Sequence, residues 1–378
     1  MPKAKKYFTA PESNQAPKLS QSPIKQKSGA DPLVCGGPPG PIAQNPNISP
    51  RAIRTRLATW YTANARALPW RLTRDPYQIL VSEIMLQQTR VTAVIPYYES
   101  FLTQFPTVHH LAAAPEPVLL TAWSGLGYYS RARNLQKSAQ IIADQGQFPA
   151  TYPEIRHLPG VGDYTAAAVS SIAFGLPHAA VDGNVIRVTS RLSAEPGDIG
   201  NSKVRQKLIV FAQHLLDQSN PGRHNQAMME LGATICLPRD PKCPICPVRK
   251  LCSARKQGLE RELPVKQKQK ELFRVTRRLL LIQKRDKLLL WKRPIDSKKM
   301  AGFWELPDAE MLPESFEREV LGQFRHSITN HIYSFIVVRS VATPPGAGFS
   351  WFDQQALTTE PLSTTTRKAL QVVKLINK

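Results

Sequence analysis

The sequence predicts a mainly α-helical part followed by a smaller α+β domain, and three observations carry that prediction. Between about Ile53 and Thr234, short segments with apolar residues at helical spacing are broken by Pro and Gly. Four of the five cysteines then crowd between Cys236 and Cys252. Beyond a charged stretch, the apolar pattern changes to the alternation of strands. At 378 residues and 42% hydrophobic content, the chain can build two or three domains, each with its own core.

Taken in order, residues 1–48 are rich in Pro, Ser, Gln and Lys and read as a disordered basic tail, for solubility or a weak grip on phosphates. Cys35 within it reads as a free thiol. A helical region, 49–235, includes helices expected at Tyr77–Thr89, Pro117–Trp123, Thr165–Phe174 and Val204–Leu216. The cysteine loop, 236–252, and a charged linker, 253–270, come next. Within 271–378, Arg277–Gln283, Lys287–Arg293 and Ile332–Ser340 have strand character, and Thr364–Leu375 reads as a closing helix. No repeat of fixed period is visible.

Lys and Arg number 50 against 28 acidic residues, a formal net charge of +22. Such an excess points to a polyanionic partner, either nucleic acid or an anionic membrane. No apolar run approaches a membrane span and no charged-then-apolar leader opens the chain, so nucleic acid is the expectation. Clustered cysteines without a leader suit a metal or iron–sulfur site in a reducing compartment. If the source is bacterial, the expected location is the cytoplasm, in association with the nucleoid.

Four motifs bear chemistry. In Leu158-Pro159-Gly160-Val161-Gly162-Asp163-Tyr164, Gly160 and Gly162 let backbone amides and a helix N-terminus approach a phosphate. No Gly-Lys-Ser/Thr follows, so this is not a Walker loop, and such a turn between helices is also a common structural device. Asp182, in Val181-Asp182-Gly183-Asn184-Val185, is by composition a turn former or helix cap. Glu83 lies on a predicted helix among Ile79, Leu80 and Ile84, and a carboxyl in apolar surroundings stays protonated to higher pH. Cys236-x6-Cys243-x2-Cys246-x5-Cys252 supplies four thiolates for structural zinc or a [4Fe–4S] cluster. Arg239, Lys242, Arg249 and Lys250 decorate that loop as solvated surface or as phosphate contacts.

Together these motifs resemble the helix-hairpin-helix, or endonuclease III, superfamily of DNA glycosylases. Ser82–Thr89, Leu68-Pro69-Trp70, Gly125–Arg131 and Asn225–Met229 are similar to its MutY branch, over about residues 51–252. The resemblance implies a two-lobed glycosylase part with Glu83 as general acid and Asp182 as catalytic carboxylate. Asn184 orients Asp182 or a water, and Tyr164 supports Asp182. Arg66, Leu68, Trp70, Leu86 and Gln226 are expected to line an adenine pocket, while Gln88 and Tyr128 enter the base stack near the opposing lesion. Cys236, Cys243, Cys246 and Cys252 match the superfamily's iron–sulfur loop.

Tyr164 stands where strand-cutting relatives carry a nucleophilic Lys, so the resemblance implies a monofunctional enzyme that flips its base. The partner would be duplex DNA holding adenine opposite 8-oxoguanine or guanine, bound by a monomer. Leu288–Pro294 and Gly302–Pro307 resemble the Nudix-like C-terminal domain of MutY proteins. Glu314–Glu319 lacks the acid spacing of a Nudix metal box and reads as a helix face, so this domain is expected to bind DNA without hydrolysing nucleotides. Where many MutY proteins carry Phe-Ser-His against the lesion, this chain has Ile328-Thr329-Asn330. Thr329 and Asn330 are the expected lesion contacts, unless the segment is an ordinary turn. Three rivals remain: a strand-cutting endonuclease, opposed by Tyr164 and the C-terminal domain; a Nudix nucleotide hydrolase, opposed by the missing metal box; and a non-catalytic iron–sulfur DNA sensor, which would not need both Glu83 and Asp182.

Overall fold

A computed structural model describes residues 49–267, 272–294, 296–297, 300–328, 330–343 and 346–376. The tail with Cys35, and Thr329, lie outside the described residues. Twelve helices come first among them: α1 Pro50–Asn64, α2 Pro76–Leu86, α3 Val91–Gln104, α4 Val108–Ala113, α5 Glu116–Ala122, α6 Ser130–Gln145, α7 Tyr152–His157, α8 Asp163–Phe174, α9 Gly183–Ser193, α10 Ser202–Leu215, α11 Pro221–Thr234 and α12 Ser253–Gln257. They build two cores. One joins α2 to α8 around Trp123, Phe101 and Met85. The other joins α1, α9, α10 and α11 around Ile53, Phe211 and Leu231, with Val248 of the cysteine loop. None of the described helices is long and apolar enough to cross a membrane.

Local chemistry fixes the elements that matter for the site. At the start of α2, the Asp75 carboxylate accepts from the Tyr77 amide at 2.8 Å, and Pro76 occupies the first turn. Every residue from Ile79 to Met85 is buried, as expected of a helix packed on all sides. The helix expected through Thr89 ends at Leu86, because Gln88 adopts φ +58°. A Thr151–Glu154 capping box opens α7. Gly160 then turns the chain at φ +77°, where an added Cβ would stand 2.8 Å from the Asn134 Cβ. The Ser138 hydroxyl donates to the Pro159 carbonyl at 2.9 Å and pins this hairpin to α6.

The segment 253–270, expected to be a linker, is mostly exposed over its described length but is anchored at several points. It contains α12, buries Leu263, and accepts from Arg191 Nε through the Leu263 carbonyl at 2.8 Å. The Val265 carbonyl accepts from the Ile199 amide at 3.0 Å.

Among its described residues, the C-terminal domain holds two sheets and two α-helices. Strands β1 Phe273–Leu281, β5 Phe316–Ile328 and β6 His331–Val341 form one sheet in the order β1-β6-β5, with β1 parallel and β5 antiparallel to β6. The other runs β2 Gln283–Lys284, β3 Lys287–Lys292, β4 Trp304–Glu305, with β7 Phe349–Phe352 also paired to β3. Helix α13 is Ala356–Thr359, and α14, Thr364–Val372, packs on β5. The expected helix face at Glu314–Glu319 is corrected: from Phe316 onward it is strand, bulged between Glu317 and Glu319. Cross-strand pairing with β6 and the Arg278–Glu317 ion pair override the helical look of clustered acids.

Phe303 is fully buried in the core of the helical part rather than in its own domain. Its ring lies 4.1 Å, centroid to centroid, from that of Tyr129, with the Arg133 guanidinium 5.9 Å from its centre. Arg133 also donates to the Ala301 carbonyl. Phe303→Ala should therefore cost about 3–5 kcal/mol of stability in a urea titration. It should also speed amide exchange at the start of α6, and unchanged protection there would show that the plug supports nothing.

Candidate active-site cleft

One cleft of about 550 Å³ opens between the two cores. From α2 and its flanks it draws Arg66, Leu68, Trp70, Glu83, Leu86 and Gln88, from α8 Tyr164, and from α9 and α11 Asp182, Asn184 and Gln226. The expected pocket residues thus share a single cavity. Tyr128 does not line it; this residue is exposed at the turn before α6, with φ +50°. Asn330 stands at the β5–β6 turn, where its carbonyl accepts from the Phe273 amide at 2.9 Å, and it too does not line the cleft.

Glu83 is 4% exposed, and its Oε2 has no hydrogen-bond partner. Burial pushes its carboxyl up to about 7; the Tyr164 hydroxyl and Arg71 pull it down, and the charge of Asp182 pushes it further up. Tyr164, half-buried beside it, is raised well above its ordinary value, first by desolvation and then by Glu83 and Asp182. Its hydroxyl donates to Met229 Sδ at 3.1 Å.

Asp182 caps α9: Oδ1 accepts from the Val185 amide at 2.7 Å, and Oδ2 from Asn184 Nδ2 at 2.8 Å. The carboxylate is therefore fixed from two sides. Asn184 Oδ1 in turn accepts from Arg187 at 2.8 Å. The same guanidinium reaches the Gly232 carbonyl and the Cys236 carbonyl, both at 2.8 Å, tying the cysteine loop to the cleft. Gly232 is needed here, because a Cβ would stand 2.7 Å from the Asn184 Cβ.

Sequence reasoning missed Glu230. It is fully buried, and its two oxygens accept from Arg66 at 2.6 and 2.8 Å and from Arg71 at 2.7 Å. Net of the opposing effect of burial, these cations hold its carboxyl below the usual range. Arg71 also lies over the Tyr61 ring at 5.4 Å, and the Tyr61 hydroxyl donates to Gln226 Oε1 at 3.1 Å. With Oε1 engaged by Tyr61, the Gln226 side chain has its orientation fixed at the cleft wall. The signal was available: Glu230 follows Gln226 by one helical turn, on the same face.

At the hairpin, Gly162 forms the N-cap of α8 without a side-chain cap, and nothing stands within 4 Å of its missing Cβ. Gly162 thus presents open backbone at a helix N-terminus, whereas Gly160 turns the chain against Asn134. Cys236, Cys243, Cys246 and Cys252 are unpaired and line one cavity with Arg191, Arg249 and Glu260. Arg191 donates to Cys236 Sγ at 3.2 Å. Burial pushes the Cys243 and Cys252 thiols up and that of Cys246 up to about 12, so a cationic centre is what would keep them as thiolates. Four free thiols around one cavity fit such a group. Among the described residues no three ligand side chains already converge on a single metal-ion position.

Residues 81–213 match the model of the HhH-GPD superfamily base excision DNA repair protein. Adenine DNA glycosylase of Homo sapiens is 46% identical over 222 residues, which is 56% of this chain but 40% of that protein. The chain thus spans about two fifths of the length of the mammalian relatives it matches. Adenine DNA glycosylase of Buchnera aphidicola subsp. Baizongia pistaciae is 37% identical, covering 63% of this chain and 70% of that one. A solved structure titled as a thermostable thymine-DNA glycosylase superposes with a TM-score of 0.50 at 31% identity, covering 57% of this chain and 99% of that one. Adenine DNA glycosylase of Schizosaccharomyces pombe is 33% identical across 74% of both chains, and on that match this chain belongs to the adenine DNA glycosylase family.

Proposed function

We propose that the chain is a monofunctional base-excision enzyme that hydrolyses the N-glycosidic bond of adenine mispaired with 8-oxoguanine or guanine. The observation that carries this reading is a buried carboxyl, Glu83, held near neutrality on the wall of a cleft that also presents a fixed carboxylate, Asp182. Two carboxyl groups whose environments separate their roles as acid and as charge stabiliser are the signature of glycosidic cleavage.

The target adenine is flipped from the duplex into the cleft, at a cost of a few kcal/mol offset by protein contacts. Protonated Glu83 donates to a ring nitrogen of the base, N7, and makes it a leaving group. The sugar becomes oxocarbenium-like, and the Asp182 carboxylate stabilises that charge until water completes hydrolysis. Asn184 holds Asp182 in place, and Tyr164 keeps Glu83 and Asp182 in a dry setting. Arg66, Leu68, Trp70, Leu86 and Gln226 surround the base, with the Gln226 NH₂ group free to donate to its edge. Gly160 and Gly162 receive a backbone phosphate. With Tyr164 at the hairpin, no amine is offered there for a Schiff base.

The four cysteines would hold a [4Fe–4S] cluster, whose contribution is to cross-link the loop and neutralise its thiolates. The C-terminal domain, around Thr329 and Asn330, would contact the lesion. The enzyme works as a monomer on duplex DNA, in keeping with the net charge of +22.

The direct experiment is adenine release from duplexes pairing A with 8-oxoguanine, G or C. Release should follow that order, and Glu83→Gln or Asp182→Asn should each abolish it while leaving mismatch binding largely intact. Because the acid form of Glu83 is required, the rate should fall as pH rises through about 7. Near-normal turnover by either variant would sink the assignment.

A separate check concerns the loop. Anaerobically purified protein should be brown and contain about four iron and four sulfide per chain. Stoichiometric zinc without sulfide would overturn the cluster assignment.

A further inference from the structure

Six of the described non-glycine residues adopt left-handed backbone, and two of them, Gln88 and Tyr128, stand at turns beside α2 and α6. Gln88 follows α2 at φ +58°, and Tyr128 precedes α6 at φ +50°. Both side chains are exposed, and neither residue type gains from that backbone locally. Something must hold both turns.

A single guanidinium does so. Arg131, 9% exposed, sends Nη1 to the carbonyls of Ile84, Met85 and Gln87 at 2.8, 2.9 and 2.6 Å. These belong to the last turn of α2 and its cap, where carbonyls lack helical partners. Nη2 reaches the Leu126 and Gly127 carbonyls at 3.2 Å each, and Thr89 Oγ1 at 3.3 Å. The same group lies 5.7 Å from the centre of the Tyr128 ring and 5.5 Å from that of Trp123. Its Nε is buried without a partner, so the side chain is placed for these contacts at the expense of its own full satisfaction. Burial lowers it to about 10, which leaves it cationic at neutral pH. A planar fork can serve both turns at once; a Lys ammonium, with three donors on one atom, cannot span them.

We propose that Arg131 is a positioning residue for base extrusion, locking the Gln88 and Tyr128 turns into one two-pronged wedge that enters the base stack as a unit. The inference rests on the reading that this chain extrudes adenine from duplex DNA with Gln88 and Tyr128 entering the base stack, as the family resemblance implies. It adds a division of labour: Glu83 and Asp182 act on the extruded base, whereas Arg131 sets the tool that extrudes it.

The test uses the full chain and a duplex with adenine opposite 8-oxoguanine and 2-aminopurine as the neighbouring base, whose fluorescence rises when stacking is lost. Arg131→Lys should bind this duplex about as tightly as the intact protein. Its fluorescence rise and its single-turnover excision should fall together, by roughly tenfold to a hundredfold. A full fluorescence rise with slow excision would place the effect in the cleft and overturn the proposal, as would unchanged behaviour in both. Should Arg131→Lys fail to fold, the exposed residues supply a second measurement: Gln88→Ala, Tyr128→Ala and the double variant. A wedge acting as a unit predicts that the double variant loses little more extrusion than the worse single one. Losses that simply multiply would contradict it. If the intact protein raises the fluorescence yet releases no adenine, the wedge stands and the glycosylase reading fails.

Discussion

The cleft depends on one unfavourable placement, the burial of the Glu83 carboxyl with an oxygen left unpartnered. Such a group is tolerated because it is neutral over the range where an ordinary carboxyl is charged. The placement is enforced by α2, whose central residues are apolar and buried on every side, so its one acid is carried into the interior with them. Tyr164 and Asp182 then face it from the hairpin and from α9. The hairpin thus shapes the pocket floor as well as presenting open backbone at Gly162.

Around that neutral acid, charge is fixed by short, direct bonds. Glu230 pairs with both Arg66 and Arg71 at the cleft wall, which leaves the triad a net cation, and this triad reaches Gln226 through the Tyr61 ring and hydroxyl. On the other side Asp182, Asn184 and Arg187 form a chain that ends on the Cys236 carbonyl. The cysteine loop is therefore mechanically continuous with the carboxylate, although its thiols lie in a separate cavity. Buried groups satisfied in this way leave little freedom for side-chain rearrangement, which suits a site that must meet a flipped base in one geometry.

Much of this was legible in the sequence. Glu83, Asp182 and the cysteine spacing were readable because their neighbours formed ordered motifs, and the helix-to-strand change in period marked the two parts. The misses share a cause, namely long-range contact. Glu230 lay one residue beyond a noted motif, and only the approach of Arg66 and Arg71 reveals it as a buried anchor. Arg131 lay inside a noted motif, but an arginine in sequence looks like surface. The acids of 314–319 looked helical until paired with β6, and the charged segment after Cys252 looked solvated until Leu263 packed. Phe303 belongs by sequence to the C-terminal domain and by packing to the helical core.

The most direct test of the account is the titration of Glu83 itself, followed by carboxyl carbon-13 resonances in the intact chain and in Glu83→Gln, which identifies the signal. The account predicts a midpoint near 7, falling in Asp182→Asn because a neighbouring negative charge has been removed. A midpoint at the ordinary glutamate value of about 4.3, unmoved by Asp182→Asn, would mean that Glu83 is already ionised at neutral pH and has no proton to give.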